Sequence, residues 1–227
     1  MYLPRPFEET RTPVLHQLMR AHPLASLVTI GASGLFASHL PLVLHPELGP
    51  LGNLRGHFAR ANQQHYDRVP GVAALAIFSG PEHYITPNWY PEKQATAKVV
   101  PTWNYAVVHV YGQLRIVDGN QSPEAAAWLL EHLNTLTDTH EAASPQPWKV
   151  SDAPADFIAS QMKGIVGLEL VIDRIEGKWK ASQNRSAADR AGVIHGLDQL
   201  DTPASQAMKS LVTAASRPGP DPNPDRS

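Results

Sequence analysis

The chain has 227 residues, and its 19 Lys and Arg are set against 21 Asp and Glu for a formal charge of -2. That near balance gives no general electrostatic drive toward DNA or an anionic membrane, although 11 histidines make the charge more positive below about pH 6.5. There is no cysteine, so disulfides, thiolate catalysis, iron–sulfur clusters and thiolate zinc sites are excluded.

The length allows one large domain, or one domain with appendages, and a real core. The first residues, MYLPRPFEET, have no apolar leader region, and no later run approaches the ~20 apolar residues of a membrane span. The expectation is a soluble cytoplasmic protein with no membrane partner.

RTPVLHQLMRAHP predicts a short helix, with Thr12 as its cap, Pro13 in the first turn and Pro23 as its stop. LASLVTIGASGLFASHLPLVL holds two β-rich runs around a Gly/Ser turn, which predicts a hairpin. NLRGHFARAN reads as a third strand running into a helix start at ANQQHYDRV. GVAALAIFSG is almost wholly apolar, as expected of a central strand. PEHYITPNWYPEKQATAKVVP, rich in proline and aromatics with little periodicity, reads as an ordered excursion from the sheet.

A long strand follows from about Trp103 to Val117. SPEAAAWLLEHLNTLTDTHE is the clearest helix, capped by Ser122, opened by Pro123, with Trp128, Leu129, Leu130, Leu133 and Leu136 on its apolar side. DAPADFIASQM predicts another short helix and IVGLELVIDRIEGKWK another strand, while ASQNRSAADRAGVIHGL reads as polar chain that turns. The proline- and charge-rich end, RPGPDPNPDRS, is expected to be disordered. Most strands follow one another without an intervening helix, so a doubly wound parallel sheet fits poorly. The fold class expected is mainly β with α additions (α+β), a β-barrel with peripheral helices.

Several chemistries lack their signature. No GxGxxG follows a strand, and there is no P-loop, HExxH or GxSxG. GASG at Gly31–Gly34 sits between two strands and reads as a hairpin turn. No helix pair carries a basic recognition helix, so contact with DNA is supported by neither charge nor motif. His39, His57, His83 and His109 lie on separate segments without ligand-pair spacing, so the reading is structural histidines and no metal. Ser38 and His39 are strand neighbours on opposite faces, which argues against a serine hydrolase pair.

The segment VPTWNYAVVHVYG is unusual. One parity of its strand gives Asn104, Ala106, Val108, Val110, Gly112, Leu114 and Ile116, nearly a pure core face. The other gives Trp103, Tyr105, Val107, His109, Tyr111, Gln113 and Arg115, an aromatic and polar stripe that wants a partner. Two readings stand open: packing against a helix or second subunit, or the wall of a pocket for a planar heteroaromatic ligand. Anion anchors exist in RGHFARANQQ, with Arg55, His57 and Arg60 near a predicted helix start, and in KWKASQNR, with Lys178, Lys180, Gln183, Asn184 and Arg185. One such cluster alone reads more readily as a solvated face; the two together with the aromatic strand leave the readings evenly balanced.

Taken in order, the blocks MYLPRPFE, SHLPLVL, GHFARANQQ, IFSGPEHYITPNWY, VPTWNYAVVHVYG, IVGLELVIDRIEGKWKASQNR and GVIHGL resemble the PaiB-type FMN-binding negative transcriptional regulators. The TWNY and KWKASQNR segments are the most specific, and the match runs from residue 1 to about residue 200. The resemblance implies an FMN-binding split β-barrel assembled as a homodimer, with the flavin at the subunit interface. It implies FMN as cofactor, held by His57, Arg60 and Asn62 from one block and Lys180, Gln183 and Arg185 from another, with Thr102, Trp103 and Asn104 lining the ring. The domain expectation is a split barrel over 1–203, a C-terminal helix over 204–216 and a disordered Pro-rich tail over 217–227.

The function that follows is a homodimeric FMN-binding flavoprotein of the regulator type, a flavin-dependent redox sensor or reductase; no catalytic residue is singled out. Two alternatives stand beside it. One is an operator-binding transcriptional repressor dimer acting without flavin chemistry, and the other is a haem-binding or haem-degrading split-barrel relative using a histidine as axial ligand.

Overall fold

The structure is a computed structural model, and it describes residues 1–216. The tail expected over 217–227 lies outside the described residues. The chain divides into two compact units, one comprising Met1–Thr10, Ser79–Val107 and Glu176–Ser227, the other Arg11–Phe78 and Val108–Ile175.

The strands, in chain order, are β1 (Glu8–Glu9), β2 (Leu24–Gly31), β3 (Gly34–Pro41), β4 (Val43–His45), β5 (Asn53–Ala59), β6 (Ala74–Ile85), β7 (Thr102–Val117) and β8 (Ile165–Lys180). The helices are α1 (Thr12–Ala21), α2 (Gln64–Asp67), α3 (Glu92–Thr96), α4 (Pro123–Glu141), α5 (Ala155–Met162), α6 (Ala187–Leu200) and α7 (Pro203–Ala215). Strand order in the sheet is β3-β2-β6-β7-β8-β5-β4, with β1 pairing β8, and β2–β3, β2–β6, β4–β5 and β5–β8 are antiparallel.

In the unit containing α1, the hairpin expected around GASG forms as β2 and β3, with Gly31 opposite Gly34 and Gly34 at φ 102°. α1 begins one residue earlier than the sequence suggested. Arg11 takes the cap position without a side-chain bond and Thr12 is already helical. The core is built from Leu27, Leu54, Phe58, Ala76, Phe78, Val108, Val110, Leu168 and Leu170, all inaccessible to solvent. α4 is capped as expected, Ala125 N–H donating to Ser122 Oγ at 3.2 Å. Its buried residues are Leu129 and His132, however, while Leu130 is 38% exposed.

In the other unit, Ile85, Tyr90, Ala181, Val193, Leu197, Met208 and Val212 form the core, flanked by Trp89, Val99, Ile194 and Leu211. Two elements differ from the sequence reading. β6 continues through Ser79–Gly80–Pro81 to Ile85, so the excursion is shorter and consists of a 3₁₀ turn at Pro87–Trp89, α3 and the loop to Pro101. The segment read as a polar turn is α6. Ser186 caps it by accepting from Asp189 N–H at 3.1 Å. Its interior Gly192 and Gly196 hide the helical signal but are demanded by packing. A Cβ at Gly192 would stand 1.9 Å from the Trp89 carbonyl oxygen, and one at Gly196 would stand 2.3 Å from the Trp89 ring.

Candidate functional site

β7 shows the alternation that its sequence required. Asn104, Ala106, Val108, Val110, Gly112 and Leu114 are buried, while Trp103, Gln113 and Arg115 are exposed and Tyr105, His109 and Tyr111 lie between. Asn104 is the one polar side chain among those buried inward-facing residues, and it is completely inaccessible. Its amide nitrogen donates to Ser182 Oγ at 2.9 Å, while its Oδ1 has no partner among the described residues. A buried, unpaired amide oxygen costs on the order of 1–3 kcal/mol. Ser182 itself sits at φ 63°, in the left-handed region, at the turn that leaves β8.

The same unit gathers the rest of the KWKASQNR set around that turn. Lys180 Nζ donates to the Thr102 hydroxyl. Gln183 folds back on its own turn, its Oε1 accepting from Ala181 N–H at 2.7 Å and its amide nitrogen donating to the Trp179 carbonyl. Arg185 lies with its guanidinium carbon 4.6 Å from the centre of the Tyr90 ring, and its backbone N–H donates to Ser182 O at 3.0 Å. Tyr90 is 2% exposed, and burial pushes its phenol above the usual range, while the charge of Arg185 and a side-chain hydrogen bond with it act in the opposite direction. Asp189, 1% exposed, accepts from Glu92 N–H at 3.2 Å through Oδ1 and leaves Oδ2 unpaired among the described residues. Trp103, 53% exposed, stands edge-on to Tyr84 at 6.0 Å, and Lys178 Nζ lies 5.3 Å from the Tyr105 ring centre.

The remaining three expected residues lie in the unit containing α1 and are engaged differently. Arg60 forms a two-pronged pair with Asp118 at 2.9 and 2.7 Å and also donates to the carbonyls of Lys163 and Ile165 at 2.7 and 3.0 Å. That pairing holds the Asp118 carboxyl down at about 2. Asn62 donates to Ser38 Oγ at 2.9 Å and accepts from Gln64 N–H at 3.0 Å, tying α2 to the β2–β3 hairpin. His57 Nδ1 meets His132 Nε2 at 3.2 Å. Sequence reasoning missed His132, because an apolar helix face was sought in Leu positions, and it missed Tyr90 and Asp189, which carry no motif.

The family model described as "Putative FMN-binding domain" matches residues 1–174. The chain belongs to this family. An uncharacterised protein of Emericella nidulans is 39% identical over 241 residues, covering 93% of this chain and 96% of its own. Protease synthase and sporulation protein PAI 2 of Bacillus subtilis is 28% identical over 212 residues, with 93% and 96% covered, which bears out the PaiB-type resemblance. Among solved structures, a conserved hypothetical protein from Mycobacterium tuberculosis matches with a TM-score of 0.54 at 12% identity over 82% of this chain and 94% of that one. The FAD and heme binding protein from Mycobacterium smegmatis matches at 0.52 and 15% identity, covering 76% and 73%. These likenesses give the fold, the α+β split barrel that the sequence predicted.

The family's cofactor is FMN, a planar heteroaromatic imide carrying a phosphate, and the donor set of the Thr102–Arg185 cluster suits it. Asn104 supplies a buried acceptor that is unpaired among the described residues; Lys180 and Arg185 supply the cations; Trp103 and Tyr84 supply exposed aromatic faces. Those are the three needs of such a ligand: an amide-type hydrogen bond, a charge partner and an apolar face.

Proposed function

We propose that the chain is a homodimeric FMN-binding flavoprotein of the regulator type, acting as a redox sensor or reductase, with its ligand seated on the Thr102–Trp103–Asn104 and Lys180–Arg185 segments. The observation that carries the seat is Asn104. A wholly buried amide, its oxygen unpaired among the described residues, is held by Ser182 on the turn that also carries Lys180 and Arg185, in a chain whose family is described as FMN-binding.

Each residue then has a task. Lys180 and Arg185 bind the phosphate, charge-assisted hydrogen bonds being the strong ones. Asn104 orients the ring through a hydrogen bond, its amide held by Ser182, while Thr102 and Trp103 line it. Gln183 braces the turn that presents Arg185, and Arg60 and Asn62 brace the other unit. His57 belongs with His132. FMN supplies the electron chemistry when bound; the chain binds and orients it and excludes water around it. The exposed Trp103 and Tyr84 pair is the surface assigned to the second subunit.

The test is an absorption spectrum of freshly purified protein followed by titration with FMN. Flavin bands that saturate near one per subunit are expected, and Arg185→Ala and Lys180→Ala should each weaken binding by about tenfold or more. A colourless protein that takes up no FMN sinks the proposal.

A further inference from the structure

A second polar cluster, in the unit containing α1, has no part in the proposed flavin seat. Trp128 of α4 covers Gly167 of β8 so closely that a Cβ there would stand 2.4 Å from the indole. The same indole stacks on His132 at 5.8 Å between centroids and 22° between planes, and the Arg55 guanidinium lies 5.1 Å from its centre. His132 is wholly buried and reaches His57 of β5, Nε2 to Nδ1 at 3.2 Å, with ring centroids 5.4 Å apart. α4 is therefore held on the sheet by an imidazole pair and an indole, where its leucines alone would have made an ordinary apolar dock.

A hydrogen bond between two imidazole nitrogens needs one to donate and the other to accept. It exists when the pair is neutral or holds one extra proton, and it is abolished when both rings are cationic. Their surroundings make the cationic form costly. Arg55, from β5, is already positive, and its charge is committed to Glu169 of β8 at 3.0 Å. Arg115 of β7 takes the other oxygen of Glu169 at 2.8 Å, so that carboxylate is doubly claimed. Glu131 of α4 is 3.6 Å from Arg55 but its side chain is 67% exposed. His45 of β4 faces Glu47 at 3.1 Å and adds a second basic ring nearby. No carboxylate in this set is both buried and free to receive a protonated pair.

We infer that the His57–His132 pair is a proton-sensitive latch that releases α4 from the sheet in acid. Burial pushes both rings below the ordinary imidazole range, His132 down to about 3, with His57, His45 and Arg55 adding to the effect on His132. The native pair thus resists protonation, whereas an undocked α4 lets both rings take a proton at ordinary pH values. Acid favours the undocked form by that difference. The inference is independent of the flavin reading.

The experiment is amide hydrogen exchange of the full chain at pH 7.5 and at about pH 5, corrected for intrinsic rates. It is run on wild type, on His57→Gln and on His132→Gln, with NMR titration of the histidine ring protons alongside. Exchange along Pro123–Glu141 should accelerate about tenfold or more in acid relative to β5 and β8 in wild type, and much less in either Gln variant. Two ring resonances should titrate below the ordinary imidazole range, that of His132 the further of the two. Protection of α4 that is unchanged by pH overturns the inference, as does an equal acceleration in the variants. Should a variant not fold, the wild-type ring titrations decide: midpoints near 6.5 for both buried rings overturn the latch.

Discussion

Arg60 shows how a residue expected at a ligand site can already be engaged within the fold. In the sequence it stands two residues before Asn62, close to a predicted helix start, and an anion could ask for little more. In the fold its guanidinium is taken by Asp118 and two carbonyls. Arg60→Lys should therefore cost stability, because an ammonium cannot reproduce the fork, and should leave the flavin alone. A loss of about 1–2 kcal/mol, or roughly 3–6 °C in Tm, is expected with FMN affinity unchanged within about twofold. Weaker FMN binding at an unaltered Tm would return Arg60 to the site. Arg185→Ala should do the opposite, weakening FMN binding with little change in Tm. Residue identity in the sequence offers cations and amides as candidates, but only the fold shows which cations have partners of their own. Asn104 was readable for a different reason: strand alternation places it among the apolar residues, where an amide is out of place.

Elements were legible where periodicity was undisturbed. β7 and β8 match their sequence signals to within a residue, since long alternating or apolar runs have one reading. α6 was not legible, because two glycines in its middle weaken the signal in exchange for contact with Trp89. That exchange can be measured. Gly192→Ala gains about 1 kcal/mol of helix propensity but drives a methyl into a backbone oxygen, and overpacking costs about 1–3 kcal/mol or more. A net destabilisation of about 1–2 kcal/mol in urea unfolding is expected; a variant as stable as wild type would show that Trp89 and its turn move aside freely.

α4 offers a pH test of the same kind. Its buried His132 has a folded pKa of about 3 against an unfolded value near 6.5. The unfolded chain then binds the proton that the folded chain refuses, so stability is unaffected above about pH 6.5 and falls as pH drops toward 3. At pH 5 this residue alone should lower stability by about 2 kcal/mol relative to pH 7.5, and His132→Gln should remove most of that slope. Asp118 does not confuse the measurement, since a carboxylate held at about 2 by Arg60 loses its contribution only below about pH 4. Equal slopes in wild type and variant would mean that His132 is protonated in the native state.

At the scale of the molecule, the fold class followed from strand succession without intervening helices, whereas assembly could not, because an exposed aromatic stripe looks the same whether it faces a ligand, a subunit or water. Trp103 at 53% and Tyr84 at 44% exposure leave those readings distinct in energy. A ligand that binds only the folded state raises stability by RT ln(1 + [L]/Kd), about 2.7 kcal/mol at one hundred times Kd, and for a chain of this length that is roughly 5–10 °C. A homodimer adds a dependence on protein concentration, since unfolding then releases two chains. If the flavin seat is completed by the second subunit, as proposed, the two effects are linked. Tm should rise with FMN and with protein concentration, and FMN should shift a sedimentation profile toward the dimer. Trp103→Ala should weaken both together. If FMN raises Tm while the protein sediments as a monomer at every concentration, the seat is complete within one chain and the exposed aromatics must serve another partner. If the protein is a dimer whose stability ignores FMN, the stripe is an interface alone and the flavin assignment falls.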